Sequence, residues 1–310
     1  MLLDHVNHGI RASTALALRH TPDVKGRWHI ALAVNKIFAP LSQSFCTVSV
    51  PMRLGHRMQV DLRAFGQFHA YYLGDFDNRA IHATLRVIRQ DSVILDVGAN
   101  VGFWTVPLAM HLNGSGCLHA FEPVPANFQR LVANVRQNTS PDQIHLHELG
   151  LSDQNGSLPI CLRDDFEQGA ETGNAAIVIG PEDLVFDRFT IQVNRLDDIF
   201  DSLGVDRIDF IKADIEGHEH RFLAGAVNTI RRFRPILFVE INQVYYKRQN
   251  QDGPALFQQW LESNSYRAAL YRKGEWRLDI VRNCKAFEDA FFFPSETAVE
   301  SVRRANRRKH

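Results

Sequence analysis

Hydrophobic positions along this chain change period in a regular order. Residues 93–97 (VILDV) form a short continuous apolar run, the pattern of a strand buried on both faces. After a turn at 98–102, Phe103, Val106, Leu108, Ala109 and Leu112 recur at helical spacing, and Asn113-Gly114-Ser115-Gly116 ends that helix. Residues 118–121 read as a second strand and 144–151 as a third. Between them, 125–138 read as a helix with Phe128, Leu131, Val132 and Val135 on one face. The strand pattern returns at 208–213 and 236–241, separated by a helix over 218–230 that carries Phe222, Leu223, Ala226, Val227 and Ile230. A helix over 256–264 and strands at 266–271 and 290–293 follow. Such alternation predicts a doubly wound α/β sheet with right-handed crossovers.

Two regions depart from it. Residues 1–45 are helix-periodic (Ala12, Ala15, Leu16, then Ile30, Ala31, Val34, Ile37), broken at Thr21-Pro22-Asp23. Residues 46–62 alternate as a strand pair turning near Leu54-Gly55-His56. The expected division is therefore a helical N-terminal extension plus strand pair over 1–64, and one α/β domain over 65–310. Within the latter, 65–76 are aromatic-rich and 77–89 read as a helix leading into the central strand. Residues 153–196 are less regular, with strand-like pieces at 158–162, 175–179 and 189–193, and 196–203 read as a short helix.

With 45% hydrophobic and 23% charged residues, the composition is that of a soluble globular protein. A formal net charge of zero gives nucleic-acid binding no electrostatic support. No apolar run is long enough to span a membrane, and the start lacks the apolar core of a signal peptide. Cys46, Cys117, Cys161 and Cys284 form no CxxC. They read as buried thiols in a reducing, cytoplasmic setting, without a disulfide frame or zinc site. The basic tail (Arg303, Arg304, Arg307, Arg308, Lys309) reads as a solvated end, with contact to an anionic lipid surface as the alternative.

Polar groups mark the carboxyl ends of the predicted strands: Asp96, Glu122, Asp214, Glu240 and Asn242. That is where an open α/β sheet places its ligand crevice. Gly98 and Gly102 let backbone approach a ligand closely. Glu122 lies twenty residues past Gly102, where an acidic residue meets ribose hydroxyls. The loop is Gly98-Ala99-Asn100-Val101-Gly102 rather than G-x-G-x-x-G, and Asp96 precedes it. A carboxylate there repels a pyrophosphate and complements the ammonium of a methionine moiety, which favours S-adenosylmethionine (AdoMet) over a nicotinamide dinucleotide.

DVGANVG at 96–102, FEPVP at 121–125, and KADIEGHE at 212–219 with LAGA at 223–226 resemble the FkbM family of AdoMet-dependent methyltransferases. The likeness runs over roughly residues 75–245. Gly74-Asp75-Phe76-Asp77 resembles that family's G-x-Y-E step, with Phe for Tyr and Asp for Glu. The resemblance implies a mostly parallel, seven-stranded Rossmann-like methyltransferase sheet. It assigns AdoMet to Asp96, Gly98, Asn100, Gly102 and Glu122, with Ala99 and Pro123 in the same motifs. Gly150 and Leu151, at the end of the third predicted strand where adenine usually lies, are candidates to touch the base through backbone atoms. The resemblance also implies O-methylation of a small-molecule or glycan acceptor: a sugar, glycolipid or secondary metabolite.

Methyl transfer to a hydroxyl needs the acceptor oxygen about 3 Å from the methyl carbon, and a base or a metal to lower its pKa. Asp214, Glu216 and His218 are the candidate bases. Asp214 and Glu216 lie two apart in an extended segment and share a side. Asp214, Glu240 and Asn242 form the alternative, a hard oxygen site for Mg²⁺ by analogy of position with catechol-type methyltransferases. Lys212 either neutralises this acidic cluster or snorkels from the core. Phe103 and Trp104 read as packing. The rival functions are an NAD-type oxidoreductase and a non-catalytic nucleoside-binding module.

Overall fold

The structure is a computed structural model that describes residues 2–21, 26–38, 46–139, 141–162, 170, 172–178, 183 and 187–307. Helices α1 (Leu2–His20) and α2 (Arg27–Ile37) precede an antiparallel hairpin of β1 (Thr47–Pro51) and β2 (Arg57–Asp61). Its turn closes where Gly55 N–H donates to the Met52 carbonyl, matching the predicted position. Pro22 and Asp23 of the expected break lie outside the described residues. Ala15, Leu18, Ala31, Val50 and Met58 share one apolar cluster with Ile94, Val106 and Phe238, so this N-terminal segment packs on the sheet's own core.

Helices α3 (Phe65–Leu73) and α4 (Asn78–Val87) lead into β3 (Val93–Val97), which is buried at every position. Then come α5 (Thr105–Leu112), β4 (Cys117–Phe121), α6 (Pro125–Asn138) and β5 (Ile144–His147). The chain next builds a separate small sheet from β6 (Gly150–Leu151), β7 (Gly156–Leu162), β8 (Ala175–Ile177) and β9 (Arg188–Asn194), in the order β6-β9-β7-β8. It returns through β10 (Phe210–Ala213), β11 (Ile236–Asn242), β12 (Tyr266–Arg272), β13 (Glu275–Leu278) and β14 (Phe287–Pro294). The main sheet has the order β13-β12-β14-β11-β10-β3-β4-β5. Strands β11 to β5 in that order are parallel, and β14, β12 and β13 are antiparallel. Strand order reverses between β3 and β10, and the ligand crevice of such sheets opens at that reversal.

Three differences from the sequence reading have physical causes. Among the described residues the main sheet has eight strands where seven were expected, the β12–β13 hairpin adding one at the edge. The expected strand 144–151 divides: β5 pairs with β4, whereas β6 leaves the sheet and pairs with β9. The expected helix 218–230 divides into Glu219–Ala224 and Val227–Phe233. The Gly225 carbonyl accepts from Asp197 N–H at 3.0 Å, and the Asp197 carboxylate caps Asn228 and Thr229 N–H at 2.9 Å each, so a distant residue restarts the helix. Ile179, the end of the expected strand 175–179, lies outside the described residues.

Candidate active site

The loop after β3 is tied to β4. Gly98 and Ala99 N–H groups both donate to the Phe121 carbonyl at 3.0 Å. Gly98 has φ +78°, and a β-carbon on it would lie 2.0 Å from the Asp214 carbonyl oxygen, so the loops after β3 and β10 touch only because residue 98 is glycine. Asn100 takes a left-handed φ of 49°, and its Oδ1 accepts from Val101 N–H at 2.8 Å. Its own N–H donates to Glu122 Oε2 at 2.8 Å, while Glu122 Oε1 accepts from Val124 N–H at 2.9 Å. Burial lifts the Glu122 carboxyl to about 7 against the pull of those hydrogen bonds.

Beneath the loop, Asp96 is fully buried, and its Oδ2 accepts from the Thr105 hydroxyl at 2.6 Å. Lys212 Nζ stands 3.5 Å from Asp96 Oδ1 and 3.5 Å from Asp214 Oδ2. Burial opposes its charge, but Asp214, Asp96 and Asp77 outweigh burial and hold the ammonium above the ordinary lysine range. Of the two expectations for Lys212, neutralising the acids is the one its surroundings match.

Gly98, Ala99, Asn100, Glu122, Lys212 and Asp214 line a cavity of about 350 Å³, within the usual range for a small-molecule site. One end carries Asp77, Asp214, Glu216, Glu240 and Asp289 together with Lys212. Glu240 and Asp289 are directly opposed across β11 and β14. Burial raises Glu240 well above the carboxylate range, reinforced by Asp214, Glu216, Glu219 and Asp289; burial lifts Asp289 to about 8, with Asp77 and Asp214 adding to it. Asp77 accepts from Trp104 Nε1 at 3.2 Å, and Phe76 stacks on Phe103 with ring centroids 4.0 Å apart. Phe103 and Trp104 therefore pack and line the cavity as well. Across from the acids, the small sheet supplies Leu151, Ile160, Ala176, Ile191 and Val193, an apolar wall.

A family model described as the Methyltransferase FkbM domain matches residues 96–268. The chain belongs to the FkbM methyltransferase family. The 2-O-methyltransferase NoeI of Sinorhizobium fredii is 29% identical over 170 residues, covering 52% of this chain and 68% of that protein. The hexuronic acid methyltransferase AglP of Haloferax volcanii is 28% identical over 162 residues, covering 52% of this chain and 61% of that one. A crystal structure of methyltransferase FkbM from Methylobacillus flagellatus overlays with a TM-score of 0.44 at 17% identity, covering 94% of this chain and 59% of that chain.

The FkbM motif residues separate by position. Gly98, Ala99, Asn100, Glu122, Pro123 and Leu151 line the cavity. Asp96 and Gly102 are not among its lining residues. Asp96 lies behind the wall and acts through Lys212 and Thr105. A β-carbon on Gly102 would sit 2.9 Å from Leu131 Cδ1, so this glycine, at φ +98°, serves the packing of the loop on α6. Asp214, Glu216 and His218 also line the cavity. His218 Nε2 is 2.9 Å from the Ser152 hydroxyl, and burial, with His220 and Arg221 nearby, lowers the ring to about 4.

Asn242 is a correction. Its Oδ1 caps the helix Gln243–Arg248 by accepting from Val244 N–H at 3.2 Å, and it is not among the lining residues. The third carboxylate near Asp214 and Glu240 is Glu219, with ligand oxygens of the three within 4.8 Å of one another. Glu219 is already committed: Oε1 accepts from Ile215 and Gly217 N–H at 2.9 and 3.2 Å, and Oε2 from the Tyr246 hydroxyl at 2.9 Å. With an ammonium 3.5 Å from Asp214 as well, the residues present do not fit Mg²⁺. Sequence reasoning missed Asp289, whose signal was an acid within the aromatic strand FEDAFFFP.

Proposed function

We propose that the cavity binds AdoMet and that the protein transfers its methyl group, without a metal, to a hydroxyl of a sugar-like acceptor. One observation carries this reading: Asp77, Asp214, Glu216, Glu240 and Asp289 line the cavity together with the Lys212 ammonium, which stands 3.5 Å from Asp214. That acidic lining complements a sulfonium and an α-ammonium, and it opposes the pyrophosphate of a nicotinamide dinucleotide. When bound, AdoMet supplies an electrophilic methyl group.

The chain's own residues do the rest. Glu122 offers its remaining lone pairs to the ribose hydroxyls, since Asn100 and Val124 use only part of its acceptor capacity. Gly98 and Ala99 bring backbone against the cofactor, and Leu151 supplies apolar surface for the adenine. Glu240 Oε2 lies in this wall without a hydrogen-bond partner among the described residues. A carboxylate whose proton affinity is raised by burial is a stronger base for the acceptor's proton. Asp214 shares that role as its charged neighbour and fixes Lys212. Glu216 and His218 complete the wall toward the acceptor. The names of NoeI and AglP, a 2-O-methyltransferase and a hexuronic acid methyltransferase, support a carbohydrate hydroxyl as the acceptor.

Thermal shift and calorimetry with AdoMet, S-adenosylhomocysteine and NAD test the cofactor. AdoMet at about a hundred times its Kd adds about 2.7 kcal/mol of stability. Stabilisation by NAD and not by AdoMet overturns the reading. Tritiated AdoMet with a panel of glycans, glycolipids and small alcohols then identifies the acceptor.

A further inference from the structure

Strands β4 and β5 carry an unusual face. In a parallel pair, Leu118 and Ala120 on β4 and Ile144 and Leu146 on β5 point into the apolar core. The alternate positions are Cys117, His119, His145 and His147. Strand register places His119 directly beside His145. None of the four lines the cavity described above.

We propose that Cys117, His119 and His145 form a binding site for a borderline-soft divalent cation of the zinc class. One ligand atom from each of the three lies within 4.8 Å of the others. Cys117 Sγ is 3.4 Å from His119 Nε2. A thiolate and an imidazole on one tetrahedral zinc stand about 3.5 Å apart, from the ordinary Zn–S and Zn–N bond lengths. His119 Nδ1 is 3.0 Å from His147 Nε2, the outer hydrogen bond that fixes the tautomer of a ligating histidine. A Cys117–His119–His147 hydrogen-bond chain alone accounts for those two distances, and strand register sets His145 against His119 with the rings stacked 4.6 Å apart. What points to a metal is that this register also brings a ring nitrogen of His145 within reach of Cys117, completing a three-donor set.

The chemistry of the donors agrees. With His119 Nδ1 against His147 Nε2, Nε2 is the ring nitrogen that faces Cys117 Sγ and is placed to bind a metal. Cys117 binds a metal as its thiolate. Binding therefore displaces a proton: Cys117 S–H and M²⁺ give Cys117 S–M⁺ and H⁺ released to solvent, with no change of oxidation state. Thiolate and imidazole select zinc or cobalt over magnesium. The bound ion would pin edge strand β5 to β4. The sequence showed no CxxC because the ligands come as C-x-H and H-x-H on neighbouring strands.

The test is titration of untagged, chelator-stripped full-length protein with Co²⁺. One equivalent should bind with a thiolate-to-cobalt charge-transfer band in the near ultraviolet, and Zn²⁺ should displace it. Cys117→Ser should abolish the band. His145→Ala, at an exposed position, should weaken cobalt binding at least tenfold while circular dichroism stays unchanged. Absence of the band at one equivalent, or the same band in Cys117→Ser, overturns the site. If Cys117→Ser does not fold, unaltered cobalt affinity in His145→Ala overturns it alone.

Discussion

Lys212 Nζ donates to the Gly98 carbonyl at 2.8 Å, joining β10 to the loop after β3 where strand order reverses. The same ammonium faces Asp96 and Asp214. Lys212→Met leaves Asp96 buried without its cation, which costs about 3–5 kcal/mol. Urea denaturation followed by circular dichroism measures it. A loss below about 1 kcal/mol would show that Lys212 is not holding the two loops together.

Gly98→Ala tests the contact from the other side. The new β-carbon meets the backbone oxygen of Asp214, not a movable side chain, and sits at positive φ. One of the two loops must shift, so the expected outcome is a loss of more than about 3 kcal/mol together with loss of AdoMet binding. An unchanged melting temperature would mean that the loops are not held against each other.

Glu122 makes a pH prediction. Burial raises its carboxyl from an ordinary value of 4.5 to about 7, so the folded state keeps a proton that the unfolded chain releases. The associated stability is fully present below about pH 4.5 and is lost as pH rises through about 7. Glu219 shifts in the same direction, so the comparison must be made against Glu122→Gln. Wild type should lose more stability across that window than the Gln variant. AdoMet affinity should rise through pH 7 in wild type, because ribose hydroxyls bond the carboxylate form, and rise less in Glu122→Gln, where Asp289 still ionises in the same cavity. Glu122→Ala should cost about 1.5–3 kcal/mol of AdoMet binding. Equal pH slopes in wild type and Glu122→Gln would show that Glu122 does not carry the linkage.

The cofactor side was more legible than the acceptor side. Asp96, Gly98, Asn100 and Glu122 stand on consecutive strand–loop–helix units, where local pattern and register decide position. Asp289 reaches the same cavity from a distant segment, and only tertiary packing brings it there; Asp77 was marked in the sequence only by its place in Gly74-Asp75-Phe76-Asp77. Asn242 looked like a ligand because it shares a strand face with Glu240, but its side chain is used by the helix that begins at Gln243. The break in the helix after Ala224 depends on Asp197, nearly thirty residues earlier, and no local period reveals it.

Asp214 and Glu240 decide the chemical step. If they share the acceptor's proton, Asp214→Asn and Glu240→Gln each lower turnover by about a hundredfold or more, far beyond the loss of AdoMet affinity that removing one acid from the lining brings. The pH profile separates their roles. Activity should rise with pH as Glu240 ionises, because its proton affinity is raised by burial and by the Asp214 charge. Removing that charge in Asp214→Asn lowers the proton affinity of Glu240, so the acid limb should move to lower pH. A purely structural Asp214 would not move it. Added Mg²⁺ should leave wild-type turnover unchanged, and Asn242→Ala should lower stability by the cost of a lost cap, about 1 kcal/mol, with turnover per folded molecule intact. Loss of turnover on chelation with specific rescue by Mg²⁺ would restore the metal mechanism. A fall in melting temperature with intact turnover in Asp214→Asn would make that residue a support for the loop rather than part of the proton path.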